Sequence, residues 1–144
     1  MNFRIKVFRQ SDSEYLLSLL LRYKILRIPL GLTFSKSDLE KDALDIHIGI
    51  FDKDVLLASL ILTDTQNNTI KMRQVAVDDL SQGKGIGSQL VSFADNYAKE
   101  KGYKIIHCNA RKAAVPFYLK QGYKIIGEEF LEVNIPHYYM EKTL

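Results

Sequence analysis

The sequence is poor in several residue types, and each shortage narrows what the chain can be. Its 144 residues include one cysteine, Cys108, and no tryptophan. A single cysteine excludes an internal disulfide and suits a reducing compartment, so we expect a cytoplasmic protein. No apolar run reaches the roughly 18 residues of a membrane-spanning helix, so no membrane partner is expected. The first residues alternate like a strand and lack the apolar stretch of a secretory signal.

Strong charge of one sign is also missing. The 20 Lys and Arg residues only slightly outnumber the 17 Asp and Glu residues, which gives a net charge of +3. This weak, scattered charge disfavours a nucleic-acid partner, although it is compatible with an anionic ligand. Apolar residues make up 47% of the chain, which is ordinary for a globular protein. A chain of this length predicts one domain, residues 1–144, with a substantial core.

The most informative segment is a glycine-rich turn at residues 82–88, Gln-Gly-Lys-Gly-Ile-Gly-Ser. An extended pattern at residues 70–77 precedes it and an amphipathic pattern follows it, which predicts a strand, a turn and a helix start. Glycines let the backbone approach a ligand closely, and the first N–H groups of a helix have no intrahelical partner. The segment therefore suits a bound phosphate group.

Two common phosphate-binding motifs do not match this turn. Walker A requires Gly-x-x-x-x-Gly-Lys-Ser/Thr, whereas the lysine here lies between two glycines. The dinucleotide fingerprint requires a third glycine where this chain has Ser88. The pattern that matches is Gln-x-x-Gly-x-Gly, formed by Gln82, Gly85 and Gly87. A glycine-rich helix entry without a ligand is the alternative.

Hydrophobic periodicity and turn residues predict the other elements. The predicted strands cover residues 3–8, 46–51, 55–63, 70–77, 103–109, 123–127 and 138–142, with 130–133 extending the sixth. The predicted helices run from a cap at Ser11 or Asp12 to about residue 25, over 35–43, from the glycine turn to Gly102, and over 113–121. Pro29 and Gly31 predict a loop between the first two helices.

The two long helices have predicted apolar sides. In the first helix this side consists of Tyr15, Leu16, Leu19, Leu20 and Tyr23. In the helix after the glycines it consists of Ile86, Leu90, Ala94 and Tyr97 or Ala98, with Asp95 on the polar side.

A second informative segment, residues 110–123, reads Ala-Arg-Lys-Ala-Ala-Val-Pro-Phe-Tyr-Leu-Lys-Gln-Gly-Tyr. With the Gln-x-x-Gly-x-Gly turn, it resembles the GNAT N-acetyltransferases, whose motifs are Arg/Gln-x-x-Gly-x-Gly/Ala and Ala-Val-x-Phe-Tyr-x-Lys-x-Gly-Phe/Tyr. The element order βααβββαβαββ is similar to theirs over nearly the whole chain. The resemblance implies an α+β fold with a mixed, mostly antiparallel sheet flanked by helices. It also implies transfer of acetyl from acetyl-CoA to an amine acceptor, without a metal.

The resemblance implies a set of acetyl-CoA contacts. Backbone groups of Val75, Ala76 and Val77 would hold the pantetheine arm like an added strand. Amides of the turn would hold the pyrophosphate, and these residues are Gln82, Gly83, Lys84, Gly85, Ile86, Gly87 and Ser88. Asn109 matches a position of a polar CoA contact, with a turn-forming Asn as the alternative. Phe117 and Tyr118 complete the set.

The resemblance also gives Tyr118 the role of general acid. Attack of an amine on the thioester builds a tetrahedral intermediate, whose collapse expels a thiolate that an O–H group can protonate. A tyrosine that merely packs at a helix end is the alternative. The general base is less defined, because Asp45, His47, Glu132 and His137 are all candidates and a water relay is equally compatible. We take His137 as the working candidate.

The loop between the first two helices occupies the place of the acceptor wall in GNAT proteins. Its residues here are Arg22, Arg27, Pro29, Leu30 and Gly31. An arginine there would bind an acidic acceptor, or it would be a solvated helix charge, which is the favoured interpretation.

A metal site is not expected. Four side chains are potential ligands: His47, His107, Cys108 and His137. His107 and Cys108 are adjacent in a predicted strand, so they point to opposite faces. We expect Cys108 to be a buried apolar thiol.

A non-catalytic CoA-binding or sensing module is the alternative to an enzyme. The sequence is also compatible with a homodimer.

Overall fold

The computed structural model describes residues 3–144, which form a mixed β-sheet flanked by helices. Met1 and Asn2, the first two residues of the predicted alternation, lie outside this range. The strands are β1 (Phe3–Phe8), β2 (Ile46–Asp52), β3 (Val55–Asp64), β4 (Thr69–Val77), β5 (Ile105–Arg111), β6 (Lys124–Ile125), β7 (Phe130–Glu132) and β8 (Ile135–Thr143). The α-helices are α1 (Glu14–Arg22), α2 (Lys36–Lys41), α3 (Ile86–Glu100) and α4 (Val115–Lys120).

Short helical turns extend or connect these elements. A π-helical turn, Tyr23–Arg27, continues α1, and a 3₁₀ turn, Ile28–Leu30, follows it. Further 3₁₀ turns are Asp42–Leu44, Asp79–Ser81 and Lys112–Ala114. The predicted loop between the first two helices begins at Gly31, which has a φ of 68°, whereas Pro29 lies inside the 3₁₀ turn.

The sheet order is β1-β2-β3-β4-β5-β8-β6, and β7 pairs with β8. Every neighbouring pair is antiparallel except β4 and β5, which run parallel. The prediction of a mixed, mostly antiparallel sheet is therefore confirmed.

The two central strands separate after a short parallel ladder. Residues 69–71 of β4 pair with residues 105–107 of β5, and no further pair joins them within residues 3–144. Beyond this ladder β4 contains a bulge, since its register with β3 shifts between Ser59 and Ile61. Gln74 lies in the bulge with a φ of 54°, an uncommon conformation for a residue other than glycine. A bulge bends its strand, and here β4 leaves β5 to form an open cleft.

Alternation along the strands produces two apolar layers, one on each face of the sheet. One layer includes Ile48, Leu60 and the buried side of α3. The other includes Phe51, and Leu21 of α1 packs there. The helices thus cover both faces, as a sheet with apolar side chains on both faces requires.

The buried side of α1 differs from the prediction. Ser18, Leu21 and Arg22 are buried, whereas Leu16 and Leu20 are 61% and 58% exposed. Apolar periodicity failed here because Arg22 is buried through an ion pair that the pattern cannot register. The predicted cap at Ser11 or Asp12 is also wrong, because Ser13 precedes the helix and makes no side-chain cap. The carboxylate of Asp12 accepts the N–H of Arg9 instead.

The buried side of α3 agrees with the prediction at Ile86, Leu90, Ala94 and Ala98. The prediction that Asp95 lies on the polar side is wrong, because Asp95 is buried. Its carboxylate accepts hydrogen bonds from the Tyr123 hydroxyl at 2.6 Å and from Lys142 Nζ at 2.8 Å. These two donors offset the cost of burying the charge.

The C-terminal strands also differ from the prediction. Residues 130–133 do not extend β6, because β7 is a separate strand that forms a hairpin with β8. The hairpin turn is Val133-Asn134, with positive φ at both residues, as two-residue turns of type I′ require. β8 consequently begins at Ile135, three residues before the predicted start at Tyr138.

Candidate functional site

A cavity of about 640 Å³ fills the cleft between the separated parts of β4 and β5. Eight of the predicted site residues line it: Val75, Val77, Gln82, Gly87, Asn109, Phe117, Tyr118 and His137. The side chains of Ala76 and Ile86 belong instead to the buried core. Gly83, Lys84 and Gly85 form the exposed turn before α3, and Ser88 follows in its first turn. The structure thus brings most of the predicted set to one cleft.

The glycine turn shapes one end of this cavity. Gly83 and Gly85 both have a φ of 78°, which glycine adopts without strain. Gly85 is the N-cap of α3, and no side chain of residues 3–144 caps the helix. The first N–H groups of α3 therefore lack intrahelical partners and lie at the positive end of the helix dipole. Gln82 donates from Nε2 to the Val77 carbonyl at 3.0 Å, which fixes the turn to the end of β4.

Gly87 lies where α3 meets the cavity. A Cβ built there lies 3.5 Å from Val77 Cγ2 and 3.6 Å from the Phe117 ring, which are ordinary contacts. The helix start, the end of β4 and α4 therefore converge at this residue. A larger side chain at position 87 would enter the cavity.

Tyr118 of α4 reaches the cavity from the buried core. Its ring packs edge-on against Phe117 and Tyr123, with centroids 5.1 and 5.6 Å apart. Within residues 3–144 its hydroxyl makes no hydrogen bond, although the residue is only 6% exposed. Burial raises the pKa of the hydroxyl above its ordinary value, so the proton stays on the oxygen. The side chain is consequently a fixed ring with an available O–H donor.

His137 and Glu132 face one another across the β7–β8 hairpin at the cavity wall. His137 Nδ1 is 2.7 Å from the Ile135 carbonyl, which can only accept, so Nδ1 carries the proton. In the neutral tautomer Nε2 is then the nitrogen without a proton, and it lies 3.4 Å from Glu132 Oε2. The other oxygen of Glu132 accepts from the Asn109 amide at 3.3 Å. The histidine is 3% exposed and stacks on Phe130.

The other two candidate bases lie elsewhere, in a buried ionic cluster under α1. Asp45 pairs with Arg73 at 2.7 Å, and His47 is fully buried with Nε2 at 3.1 Å from the Asp42 carbonyl. Burial lowers the pKa of His47 below its ordinary value. Neither residue lines the main cavity.

Arg22 belongs to the same cluster, and its interpretation as a solvated helix charge is wrong. Arg22 is 1% exposed and pairs with Asp42 at 2.9 Å, and its Nε donates to Gln74 Oε1 at 3.3 Å. Arg73 pairs with the other oxygen of Asp42 at 3.0 Å. The cluster fixes α1 to the bulge of β4 and so supports the shape of the cleft.

A second cavity of about 260 Å³ adjoins the first beyond the bulge. The two share Arg27, Lys71, Arg73 and Gln74 on their walls. Of the predicted acceptor wall, Arg27 and Leu30 line the main cavity, while Pro29 and Gly31 line neither.

Cys108 and the histidines do not form a common metal site in residues 3–144. Cys108 is 2% exposed, and burial raises the pKa of its thiol to about 12, in agreement with the predicted apolar role. Within residues 3–144, no cluster of three or more His, Cys, Asp or Glu side chains is placed to hold a metal ion. In the same range, no helix combines the length and apolar character needed to cross a bilayer.

Two parts of the cleft were not predicted from the sequence. The bulge at Gln74 has no glycine or proline to indicate it. The pairing of Glu132 with His137 depends on the β7–β8 hairpin, for which Asn134 at a turn position was the available signal.

Comparison with known proteins agrees with this geometry. A family model described as an acetyltransferase (GNAT) domain matches residues 36–144. The uncharacterized N-acetyltransferase YjcF of Bacillus subtilis (strain 168) is 34% identical over 73 residues, which cover 50% of this chain and 52% of YjcF. The chain thus matches about half the length of the first curated relatives.

Solved structures resemble the chain over nearly its full length. An acyl-CoA N-acyltransferase from Pseudomonas aeruginosa has a TM-score of 0.86 at 21% identity, covering 98% of this chain and 99% of that one. A GNAT family acetyltransferase from Elizabethkingia anophelis, with acetyl-CoA bound, has a TM-score of 0.77 at 18% identity, covering 99% of both chains. The expected acyl-CoA N-acyltransferase fold is confirmed.

Proposed function

The chain belongs to the GNAT family of acetyltransferases, and on that basis we propose that it transfers acetyl from acetyl-CoA directly to a primary amine. One observation carries the proposal: a single cavity connects the start of α3, the unpaired stretch of β4 and the hydroxyl of Tyr118. An acyl-CoA donor needs an anion site, an extended groove and a proton donor. The cavity offers these three features in continuous space.

Backbone groups bind acetyl-CoA in this proposed function. Amides of residues 82–88 hold the pyrophosphate, where the glycine conformations and the helix dipole favour an anion. Backbone groups of Val75, Ala76 and Val77 pair with the pantetheine arm, because β5 does not occupy that part of β4. Phe117 and Asn109 contact the donor from the other side of the cleft.

Tyr118 supplies the proton to the leaving sulfur in this proposed function. As the amine nitrogen bonds to the acetyl carbon, the carbon–sulfur bond breaks and negative charge develops on sulfur. The hydroxyl of Tyr118 is held by packing and keeps its proton at neutral pH, so it can donate at that moment. The acetyl group itself comes from acetyl-CoA.

The proposal assigns the amine proton to the His137–Glu132 pair. A lysine-like amine has a pKa of about 10.4 and must lose a proton before it attacks. Nε2 of His137 can accept this proton directly or through water, and Glu132 lies within ion-pair distance of the resulting charge. Asn109 orients Glu132 by its hydrogen bond.

Ligand binding and turnover test the proposal separately. Acetyl-CoA and CoA should raise the melting temperature, because they bind the native state only, and NAD and ATP should raise it much less. A panel of primary amines is then incubated with acetyl-CoA, and free CoA is detected with a thiol reagent. Equal stabilisation by NAD contradicts the assignment of the cavity to acetyl-CoA. Binding of acetyl-CoA without turnover on any amine indicates the non-catalytic CoA-binding alternative.

A further inference from the structure

Three arginines meet where the segment after α1 approaches the bulge of β4, and they differ in how their charges are compensated. Arg22 pairs with Asp42. Arg73 pairs with both Asp42 and Asp45. Within residues 3–144 no carboxylate lies within ion-pair distance of Arg27, which is therefore the uncompensated member of the group.

The guanidinium of Arg27 is stacked but not hydrogen-bonded. Its Cζ lies 4.8 Å from the centroid of the Phe34 ring. Its Nε is buried without a partner, and its other nitrogens make no hydrogen bond to residues 3–144. A buried N–H group without a partner is unusual in a native protein, and a ligand is one physical explanation for it.

Asp38 lies on the wall of the second cavity, but its carboxylate is already engaged. Its Oδ2 accepts the backbone N–H of Ser35 at 2.9 Å in the capping box of α2. The pKa of Asp38 is lowered first by this backbone hydrogen bond and, to a smaller extent, by the charge of Arg27. Asp38 therefore reduces the positive potential at this wall without forming a hydrogen bond to the guanidinium of Arg27.

The contact with Phe34 also restricts the position of Arg27. Its Cζ lies over the ring, and hydrogen bonds to a guanidinium form in its plane, at its edge. A carboxylate is planar and can accept two parallel hydrogen bonds from that edge. The arrangement is preorganised for such a group, since the aromatic contact restricts the arginine before a ligand arrives.

The second cavity is distinct in its lining from the expected phosphate site. Arg27 and Lys71 line both cavities, but no residue of the 82–88 turn lines the second cavity. Within residues 3–144 Lys71 makes no ion pair, so it adds a second uncompensated positive charge to the shared wall. An anion bound at the second cavity would therefore lie outside the lining of the expected phosphate site.

We propose that Arg27, with Lys71 on the same wall, binds a carboxylate of the acceptor, so that the acceptors are amines that also carry a carboxylate. Amino acids and the free ends of short peptides have this chemistry. Polycationic amines would be repelled by the two uncompensated positive charges at this wall. The inference rests on the proposed function and names its substrate class.

Kinetics on matched acceptors test the inference. L-methionine, β-alanine and glycylglycine are each compared with the corresponding primary amide, which keeps the amine and removes the negative charge. For at least one pair we expect kcat/KM to be roughly 10-fold or more higher for the acid, the scale of a charge-assisted hydrogen bond. Arg27→Gln should abolish this preference by lowering kcat/KM for the acid alone, with the affinity for acetyl-CoA unchanged.

A matched control is Arg4→Gln, because Arg4 also stacks on an aromatic ring, with Cζ 4.9 Å from the Phe51 centroid, but lines neither cavity. This variant should keep the wild-type preference. Retention of the preference in Arg27→Gln, or equal wild-type kcat/KM for acids and amides, overturns the inference while the proposed function stands.

A binding measurement keeps the inference testable without turnover. The N-acetyl derivatives of the same acids and amides are added to the protein with saturating CoA, and the melting temperature is recorded. We expect the acids to stabilise the wild type more than the amides, and Arg27→Gln to remove the difference. Equal shifts for acids and amides in the wild type overturn the inference. Absence of turnover on every amine contradicts the proposed function instead.

Discussion

At the scale of single residues, Tyr118 combines a packed ring with an unengaged hydroxyl. Phe117 and Tyr123 hold the ring by edge-on contacts. The Tyr123 hydroxyl, by contrast, donates to Asp95. Removing the Tyr118 hydroxyl therefore removes no hydrogen bond of the described structure, and this makes a Phe substitution a clean test of chemistry.

We predict that Tyr118→Phe reduces turnover roughly 10-fold or more and leaves the affinity for acetyl-CoA near that of the wild type. General-acid steps contribute about 10²- to 10⁴-fold, and water replaces part of this contribution. Steady-state kinetics and a binding titration measure the two effects. Tyr103→Phe is the matched control, because its hydroxyl binds Asp64 and it does not line the cavity. Unchanged turnover in Tyr118→Phe, with chemistry rate-limiting, excludes the acid role.

At the scale of elements, the start of α3 depends on small residues at its contact with β4 and α4. Gly87 has room for a Cβ, but the additional methyl groups of a valine would extend toward the cavity that Gly87 lines. Gly85 is different, because its positive φ strains any other residue. Gly87 is therefore the better position at which to separate ligand binding from folding.

We predict that Gly87→Val lowers the affinity for acetyl-CoA at least 10-fold while the protein stays folded. The side chain would occupy space assigned to the pyrophosphate, and a loss of this size corresponds to about 1.4 kcal/mol. Calorimetric titration with CoA measures the affinity, and circular dichroism checks the fold. Ser92→Val is the control, since it places the same side chain on the exposed side of α3. Equal affinity in Gly87→Val and the wild type would show that the anion site is elsewhere.

The elements predicted best are those encoded by local sequence. The short helix that begins after Ser35, the stop at Gly102 and the buried periodicity of α3 are all present. The buried side of α1 was missed because a polar residue, Arg22, is stabilised there by partners distant in sequence. The bulge at Gln74 was missed for a related reason, since its strand pairing and its contact with Arg22 are both long-range.

The candidate site shows the same division between local and long-range information. The glycine turn and the segment around Tyr118 are contiguous motifs, so the sequence indicated them directly. The pairing of Glu132 with His137 exists only because the β7–β8 hairpin brings the two side chains together. The stacking of Arg27 on Phe34 likewise depends on the fold of the segment that follows α1.

At the scale of the whole molecule, the Asp42 cluster joins the helical layer to the sheet. Its carboxylate binds Arg22 of α1 and Arg73 of β4, and it accepts a hydrogen bond from the Tyr15 hydroxyl at 2.7 Å. Burial alone would raise the pKa of Asp42, but the hydrogen bonds from Tyr15, Arg22 and Arg73 and the charge of Arg22 outweigh it. The pKa is lowered from 3.8 as a result.

A lowered pKa has a defined effect on stability. The contribution of Asp42 to the free energy of unfolding is fully present above the pKa of the unfolded chain, about 3.9. It declines as the pH falls through the lower pKa of the folded state, because protonation then removes the ion pairs. One carboxylate thus makes the contact between α1 and the sheet sensitive to acid.

We predict that Asp42→Asn lowers the free energy of unfolding at pH 7 by about 3–5 kcal/mol, because Arg22 stays buried without its counter-charge. The difference from the wild type should begin to shrink as the pH falls below about 3.9, because the unfolded wild type then takes up a proton at Asp42 that the folded protein, with its lower pKa, does not. Urea unfolding at pH 7 and pH 3.5, followed by circular dichroism, measures both effects. Asp54→Asn is the control, since Asp54 is exposed and makes no ion pair within residues 3–144. This variant should have the same free energy of unfolding as the wild type at both pH values. A difference for Asp42→Asn that is independent of pH would contradict a lowered pKa at this carboxylate.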